Sequence, residues 1–205
     1  MLSFFLMIFA YLLGSIPGGY IIGKYIHGID IREYGSKNAG ATNVLRTLGK
    51  KEGFLTLIFD GFKGYIVIKI ALLLGLDDLF VILSGLAVII GHNWPIFFQF
   101  KGGRGIATSI GILIGLSWQV FVTVVVIGLI PVVITKYVSL GSITGAVVLP
   151  WVMLLFGNPF WYLVFALAMS IMAIIRHISN IKRLIQGTER KLGEKYEISK
   201  SGREK

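Results

Sequence analysis

Seven apolar stretches, near residues 3–26, 53–75, 79–98, 105–117, 119–135, 140–156 and 158–175, follow one another along the 205-residue chain with only short polar breaks between them. Runs approaching 20 residues are what helices need to cross about 30 Å of hydrocarbon. Charge is scarce: 15% of positions are charged against 55% hydrophobic, whereas soluble domains carry about 25% charged residues. The pattern predicts an all-α, polytopic integral membrane protein, with residues 1–205 as one membrane-embedded domain and a basic tail over about 177–205. The first run begins at Met1 without a basic segment or a small-residue cleavage site, and reads as a retained span. Cysteine is absent, which removes disulfides, thiolate metal sites and acyl-thioester intermediates on the protein.

The join at Ser117-Trp118-Gln119 leaves the number of spans open, because 105–135 reads either as one long helix containing Pro131 or as two shorter ones. Charge decides between them. With seven spans and the N-terminus outside, 17 of the 20 lysines and arginines fall in the inner segments 27–52, 99–104 and 136–139 and in the tail from Arg176. The outer loops then hold only Asp77 and Asp78 as charges, a complete positive-inside segregation. Six spans would put the basic tail outside. The runs 105–117 and 140–156 are short for a full crossing, so they are expected to start in polar loop segments or to tilt.

Four inner segments are too unusual to be plain connectors. In Gly35-Ser36-Lys37-Asn38-Ala39-Gly40-Ala41-Thr42-Asn43-Val44-Leu45-Arg46, a glycine-rich turn leads to Thr42 or Asn43 as the cap of a short helix carrying Arg46. The second segment joins Gly91-His92-Asn93-Trp94-Pro95 to Phe100-Lys101-Gly102-Gly103-Arg104-Gly105 ahead of an apolar helix. Glycines there bring backbone N–H groups close to a ligand, the helix start favours an anion, and Lys101 and Arg104 add full charges. The third segment is Ser139-Leu140-Gly141-Ser142 and the fourth runs from Arg176-His177 through Asn180 to Glu189. If the last apolar helix continues, His177 and Asn180 share one of its faces. The candidates for holding phosphate are Asn38, Thr42, Asn43, His92, Asn93, Lys101, Gly102, Gly103, Arg104, Gly105 and Ser142.

Within the run 53–75, Asp60 and Lys63 stand three apart, where an isolated charge would be costly, so they are expected to pair structurally. Lys69 is expected to snorkel outward. The chain has no Walker motif, Gly-x-Ser-x-Gly elbow, His-Glu-x-x-His pair or other metal cluster, and His27 and Asp30 are too close for a His-x4-Asp box. No metal, cofactor or nucleic-acid partner is expected. Anion-friendly turns, several cations and a His/Asn pair at one membrane face suit an amphiphile with a phosphate head, whose acyl part stays among the helices.

Gly14-Ser15-Ile16-Pro17, the run Gly35 to Arg46, Gly91-His92-Asn93 with Phe100 to Thr108, Ser139 to Ser142, and Arg176-His177 through Glu189 together resemble the bacterial acyl-phosphate:glycerol-3-phosphate acyltransferases, the PlsY family. These long, ordered motifs cover roughly a third of the chain. The resemblance implies a seven-helix protein of the bacterial inner membrane with its active site facing the cytoplasm. It implies transfer of a fatty acyl group from acyl phosphate to the 1-hydroxyl of glycerol 3-phosphate, giving lysophosphatidic acid and phosphate as the first acylation of phospholipid synthesis. Neither acyl-CoA nor acyl carrier protein would be the direct donor, and membrane lipids would surround the site. By position it makes Ser36, Arg46, His177 and Asn180 the residues of activity, places glycerol 3-phosphate at Lys101 to Gly105, and gives Glu189 a structural part.

Two positions depart from the family pattern. Arg104 stands where a lysine is expected, which keeps the charge but changes reach and donor geometry, and Lys37 replaces an expected glycine. Acyl phosphate is already activated, so the protein mainly has to bring two anions together, neutralise the departing phosphate and polarise the carbonyl. His177 could take the hydroxyl proton or hydrogen-bond phosphate, or the acyl phosphate itself could take the proton. The rival readings are an organic-phosphate transporter, whose binding groups would sit nearer the membrane midplane, and a lipid-binding scaffold, which would need neither the His/Asn pair nor the glycine turns.

Overall fold

The computed structural model describes residues 1–194 and 196, and these form helices and loops with no strand among them. Of the basic tail, Lys195, Lys200, Arg203 and Lys205 lie outside the described residues. Helix α1 (Leu2–Gly14) meets α2 (Gly18–Ile21), which runs on as a π-helix over Ile22–Ile26, at a bend of 40°. The first apolar run is therefore broken. Pro17 has no amide proton, and a break in an apolar helix leaves backbone groups that need partners. Asp60 and Lys63 supply them: Lys63 Nζ donates to the carbonyls of Gly14 and Ile16 at 3.0 and 3.2 Å, and Gly18 N–H donates to Asp60 Oδ1 at 3.1 Å. The two side chains also pair with each other, at 2.9 Å.

Short α3 (Ala41–Thr47) and long α4 (Lys50–Leu73) follow, then α5 (Asp78–Asn93), α6 (Ile106–Leu116), α7 (Trp118–Thr135), α8 (Val138–Leu155), α9 (Phe160–Arg176) and α10 (Ile178–Ile185). The 105–135 run is two helices, because Ser117 takes an extended conformation between α6 and α7. By length and composition, Asp78–Phe98, α7 and α8 can each cross a membrane, and the bent pairs α1/α2 and α9/α10 bring the number to five. Helix α4 carries Asp60, Lys63 and Lys69 in its apolar part, and α6 is only 11 residues long. Lys69 is half-buried, with its ammonium 5.6 Å from the centre of the Tyr65 ring one turn earlier.

One apolar core joins residues from α1, α4, α5, α6, α7, α8 and α9, with Ile68, Ile82, Ile112, Leu149, Met153 and Phe165 fully buried. Helices α4 and α6 pack backbone against backbone, since a Cβ at Gly64 or Gly111 would overlap the carbonyl oxygens of Thr108 and Gly61. Small residues at such contacts are the usual means of helix association in lipid. The outer surface carries Phe4, Phe5, Val133, Ile134, Trp151, Leu155 and Phe160, all exposed. A surface so apolar is suited to lipid.

Candidate active site

At one end of the bundle the four polar segments come together around a cavity of about 660 Å³. Its polar wall carries Ser36, Asn38, Thr42, Asn43, Arg46, His92, Arg104, Gly105, Ser142, His177, Asn180 and Glu189. Its other wall is apolar and runs between helices, past Leu113, Val124, Leu129, Val132 and Met169, with Gly128, Gly141 and Gly145 leaving room. Lys101 and Gly102 do not line this cavity. They line a smaller pocket of about 300 Å³, whose wall shares Ser36, Lys37, Asn38 and Arg104 with the large one. Asn93 and Gly103 line neither, and Asn93 is fully buried with its amide unpaired among the described residues.

The turn before α3 is held together by Asn43. The helix is not capped by Thr42 or Asn43: its cap is Gly40, and both residues lie inside it. Asn43 instead accepts from Ser36 N–H at 2.9 Å and donates to the carbonyls of Ile31, Tyr34 and Asn38. A single buried amide thus fixes the shape of the 31–40 loop and aims Ser36. Lys37 sits in that loop with φ +57°, a left-handed conformation that favours glycine.

The glycine loop ahead of α6 is held from three sides. Gly103 N–H donates to the His92 carbonyl at 3.0 Å, and a Cβ at Gly103 would overlap the His92 ring. Arg176 donates to the Gly103 carbonyl at 2.7 Å while lying over the Trp94 ring. Arg32, paired to Asp30, donates to the Phe98 carbonyl at 2.9 Å. Behind the loop, His92 Nδ1 is 2.9 Å from Lys63 Nζ, so the buried Asp60–Lys63 pair also positions this histidine.

Five arginines border the cavity region; Arg190 lies over the Tyr196 ring, and three others are committed to protein partners. Arg176 holds the Gly102 and Gly103 carbonyls, Arg183 Nε holds Glu189 at 2.7 Å, and Arg46 Nη2 donates to the Arg190 carbonyl at 2.8 Å. Arg46 keeps Nε buried and unpaired among the described residues. The Arg104 guanidinium makes no hydrogen bond to another described residue. Burial pushes its pKa down to about 10, with the charges of Arg183, Arg176 and Arg46 acting in the same direction. An anion would relieve that repulsion.

His177 ends α9, where the chain turns through 57° into α10, so the last apolar helix does not continue straight and its face is not what brings His177 and Asn180 together. Both are buried on the cavity wall all the same. His177 Nδ1 lies 2.8 Å from the Ala173 carbonyl, which can only accept, so Nδ1 carries the proton and Nε2 is left as an acceptor. Burial pulls the His177 pKa down to about 4, and the Arg104 charge adds to this. Asn180 donates to Glu189 at 2.7 Å and keeps its Oδ1 unpaired among the described residues. Glu189 also accepts from Ser139 Oγ at 2.7 Å. Ser142 Oγ is turned back to the Val138 carbonyl at 3.1 Å.

The residues after α10 form a strap across the mouth. Thr188, Glu189, Arg190 and Tyr196 line the cavity, Leu192 N–H donates to the Lys136 carbonyl, and Tyr196 N–H donates to the Arg46 carbonyl. The sequence places Thr188 and Glu189 in the fourth polar segment and gives Glu189 a structural part, but the residues beyond it read only as a basic tail, and the part of Arg190 and Tyr196 in the wall was not foreseen. Sequence reading also missed the Gly141-x3-Gly145 spacing, a small-residue pattern that faces Gly128 across α7 and α8 and opens the apolar wall. Among the described residues, no three His, Asp or Glu side chains are gathered as ligands for a metal ion.

A membrane-embedded helical fold with a cationic, glycine-lined recess continuing into an apolar groove defines the class: an integral membrane protein built to hold an anionic head and an aliphatic chain together. Residues 4–187 match the glycerol-3-phosphate acyltransferase family, and the chain belongs to that family. It is 48% identical over 191 residues to the glycerol-3-phosphate acyltransferase of Thermoanaerobacter sp. strain X514, covering 93% of this chain and 96% of that one. It is 44% identical to glycerol-3-phosphate acyltransferase 2 of Moorella thermoacetica, covering 92% and 97%. Among solved structures it resembles PlsY, an integral membrane glycerol 3-phosphate acyltransferase. The TM-score is 0.90 for the glycerol 3-phosphate form, at 41% identity over 94% of this chain and 96% of that one. For the lysophosphatidic acid form it is 0.88, at 40% identity over 95% and 97%.

Proposed function

We propose that the protein transfers a fatty acyl group from acyl phosphate to the 1-hydroxyl of glycerol 3-phosphate, releasing phosphate and lysophosphatidic acid. The observation that carries this reading is the single cavity with a cationic polar wall and an apolar groove, in a chain of this family. The acyl chain lies along the groove past Val124, Gly128 and Gly145, and Arg104 with the free Nε of Arg46 holds phosphate oxygens. Ser36, Asn180 and the neighbouring amides orient the rest.

The glycerol hydroxyl oxygen attacks the acyl carbonyl carbon, the carbon–oxygen bond to phosphate breaks, and phosphate leaves with the electron pair. Neutral His177 accepts a hydrogen bond from the hydroxyl at Nε2 and points its lone pair at the carbonyl. Burial and the Arg104 charge hold its pKa down to about 4, whereas the phosphate oxygen released as the carbon–oxygen bond breaks gains a full negative charge and is strongly basic. The hydroxyl proton therefore passes to the departing phosphate, and His177 orients the hydroxyl.

Seven passes with the N-terminus outside account for the charge segregation. Helix α4, at 24 residues, is about 36 Å long, and its Asp60 and Lys63 are neutralised by each other. Helix α6 completes its crossing with the polar loop before it. This topology places the cavity at the cytoplasmic face of the bacterial inner membrane. Because the core draws on seven helices, we read residues 1–205 as one domain. Purified protein in detergent, given palmitoyl phosphate and glycerol 3-phosphate, is expected to form lysophosphatidic acid and release phosphate. His177→Ala and Arg46→Ala should stay folded and lose at least about a hundredfold in rate, the scale of losing one positioned hydrogen-bonding group. Wild-type rates in both variants would remove these residues from the site.

A further inference from the structure

The strap after α10 is held almost entirely by polar contacts. Gly187 and Gly193 flank most of it, both left-handed, at φ +68° and +99°, with open space beside them. Its one aliphatic side chain, Leu192, is exposed. Beyond Glu189 the strap meets the end of α7 at a single junction, where Leu192 N–H donates to the Lys136 carbonyl at 2.7 Å and Lys191 Nζ lies 5.9 Å from the centre of the Tyr137 ring. Lys136, Tyr137, Lys191 and Leu192 line neither the cavity nor the smaller pocket. A segment with so little buried apolar contact opens at low cost.

Position, charge and strain bear on what meets this junction. Val133 and Ile134 are largely exposed on the lipid side of α7, and Lys136 follows them by about 3–5 Å along the helix axis. Tyr137 is half-buried beside it, and tyrosines gather at the boundary between membrane and water. Lys136 and Lys191 are both exposed, next to one another across the Leu192 bond, and neither has an ion-pair partner among the described residues. Of the acids close in sequence, Glu189 is taken up by Ser139, Asn180 and Arg183, and Glu194 forms no ion pair among the described residues. Lys136 also ends α7 with φ +66°, where glycine would sit without strain, yet the position carries a long cationic side chain. Strain retained at one residue points to a use for its side chain. The negative end of α7 accounts for one cation there, but not for the second that the strap brings.

We infer that the junction of Lys136, Tyr137, Lys191 and Leu192 binds an anionic phospholipid of the surrounding leaflet, whose phosphate bridges the two lysines while Leu192 rests among its acyl chains. The lipid staples the strap to α7 and takes no part in the chemistry as a substrate. Binding stands on the geometry of the junction. Its effect on rate rests on the acyl-transfer reading, because the stapled strap supplies Thr188, Glu189, Arg190 and Tyr196 to the cavity wall. The acidic-lipid content of the membrane thereby sets the fraction of molecules whose wall is closed.

The test uses the full chain in non-ionic detergent micelles with increasing phosphatidylglycerol, phosphatidylcholine or inorganic phosphate. Hydrogen exchange at the Leu192 amide, read by mass spectrometry without substrate, should slow with phosphatidylglycerol and with neither of the others. The half-saturating phosphatidylglycerol should rise about fivefold in Lys136→Gln or Lys191→Gln and about thirtyfold in the double variant, the scale of one and two lysines at an anionic surface. The double variant should keep the wild-type unfolding midpoint and the wild-type rate in detergent alone, which separates lost lipid from a damaged fold. Lys136→Gly, which relieves the turn, should unfold no earlier than wild type and still need about fivefold more lipid. With both substrates saturating, the wild-type rate should rise along the same curve as the protection. Absent protection in wild type, or equal protection in wild type and the double variant, would overturn the inference. Protection by phosphatidylcholine or by inorganic phosphate would overturn it too, assigning the junction to plain apolar contact or to a free anion. Protection with no change in rate would overturn the staple's control of the wall. A wild type that is protected but forms no lysophosphatidic acid would sink the acyl-transfer reading and leave the lipid site standing.

Discussion

Replacing Glu189 by glutamine changes one atom's chemistry and almost no volume, so its cost is set by hydrogen bonding alone. Glu189 Oε1 accepts from Ser139 Oγ and Asn180 Nδ2, and Oε2 from Arg183 Nε, each at 2.7 Å. A glutamine must put its NH2 at one of these two positions. At Oε2 it meets Arg183 Nε, which can only donate, so it takes the Oε1 position, where the Ser139 hydroxyl and a flipped Asn180 amide can accept from it, and what is lost is the charge that strengthened the bond from Arg183. A hydrogen bond to a charged group contributes about 1.5–3 kcal/mol. The Arg183 side chain is 37% exposed, so water screens its share and the net loss is about 1–2 kcal/mol. That corresponds to a fall of about 2–8 °C in unfolding midpoint for a chain of this length.

The pH dependence has a definite sign. Burial tends to raise the Glu189 pKa, but the hydrogen bonds from Ser139, Asn180 and Arg183 outweigh it and hold the carboxyl below the ordinary range. A depressed carboxylate stabilises the fold above its unfolded pKa of about 4.3, and that stability is lost as pH falls through the lower folded value. Wild-type protein should therefore lose stability on acidification below about pH 4.3, and Glu189→Gln should lose less over the same interval because its part is already gone. Thermal unfolding of the two proteins in detergent, followed by tryptophan fluorescence at several pH values, measures both effects. An unfolding midpoint for Glu189→Gln within 1 °C of wild type at pH 7 would show that the Glu189 contacts do not hold the strap.

Asp60→Asn leaves Lys63 buried without its counter-charge and should cost about 3–5 kcal/mol. The paired change Asp60→Asn with Lys63→Met should recover part of this, read as yield of folded protein and unfolding midpoint; equal losses in single and double variants would deny that the two act as a pair. Gly145 has room for a Cβ, which would rest in ordinary contact with Val124, so Gly145→Leu should fold and fill the groove. Each methylene excluded costs about 0.8 kcal/mol, so the preference should move from palmitoyl phosphate towards shorter acyl phosphates, and an unaltered chain-length profile would place the acyl chain elsewhere.

The features legible in the sequence were those set by local composition. Apolar runs marked the helices, and the Ser117 break and the chemistry of the four polar segments were visible because each is written in adjacent residues. What escaped was set by contacts between distant segments. Lys101 stands outside the cavity because Arg32 and Arg176 pull the Phe98 and Gly103 carbonyls into a fixed loop, and no local pattern encodes that pull. Asn43 looked like a cap because asparagine is one by preference, but three carbonyls from residues 31–38 claimed its amide first. The break at Gly14–Pro17 shows the same thing in reverse. Asp60 and Lys63 were identified as a pair, while the backbone groups they serve lie more than forty residues earlier.

The strap has a further consequence for how the molecule comes into being. Arg46 is held by carbonyls at 190 and 191, and its own carbonyl by the amide of Tyr196. A ribosome-bound chain, threaded into the bilayer helix by helix, would thus have every span in place and still lack a finished chamber. The wall is complete only once the stretch through Tyr196 has left the ribosome, so a copy stalled before it would lack the lining that Thr188, Glu189, Arg190 and Tyr196 supply.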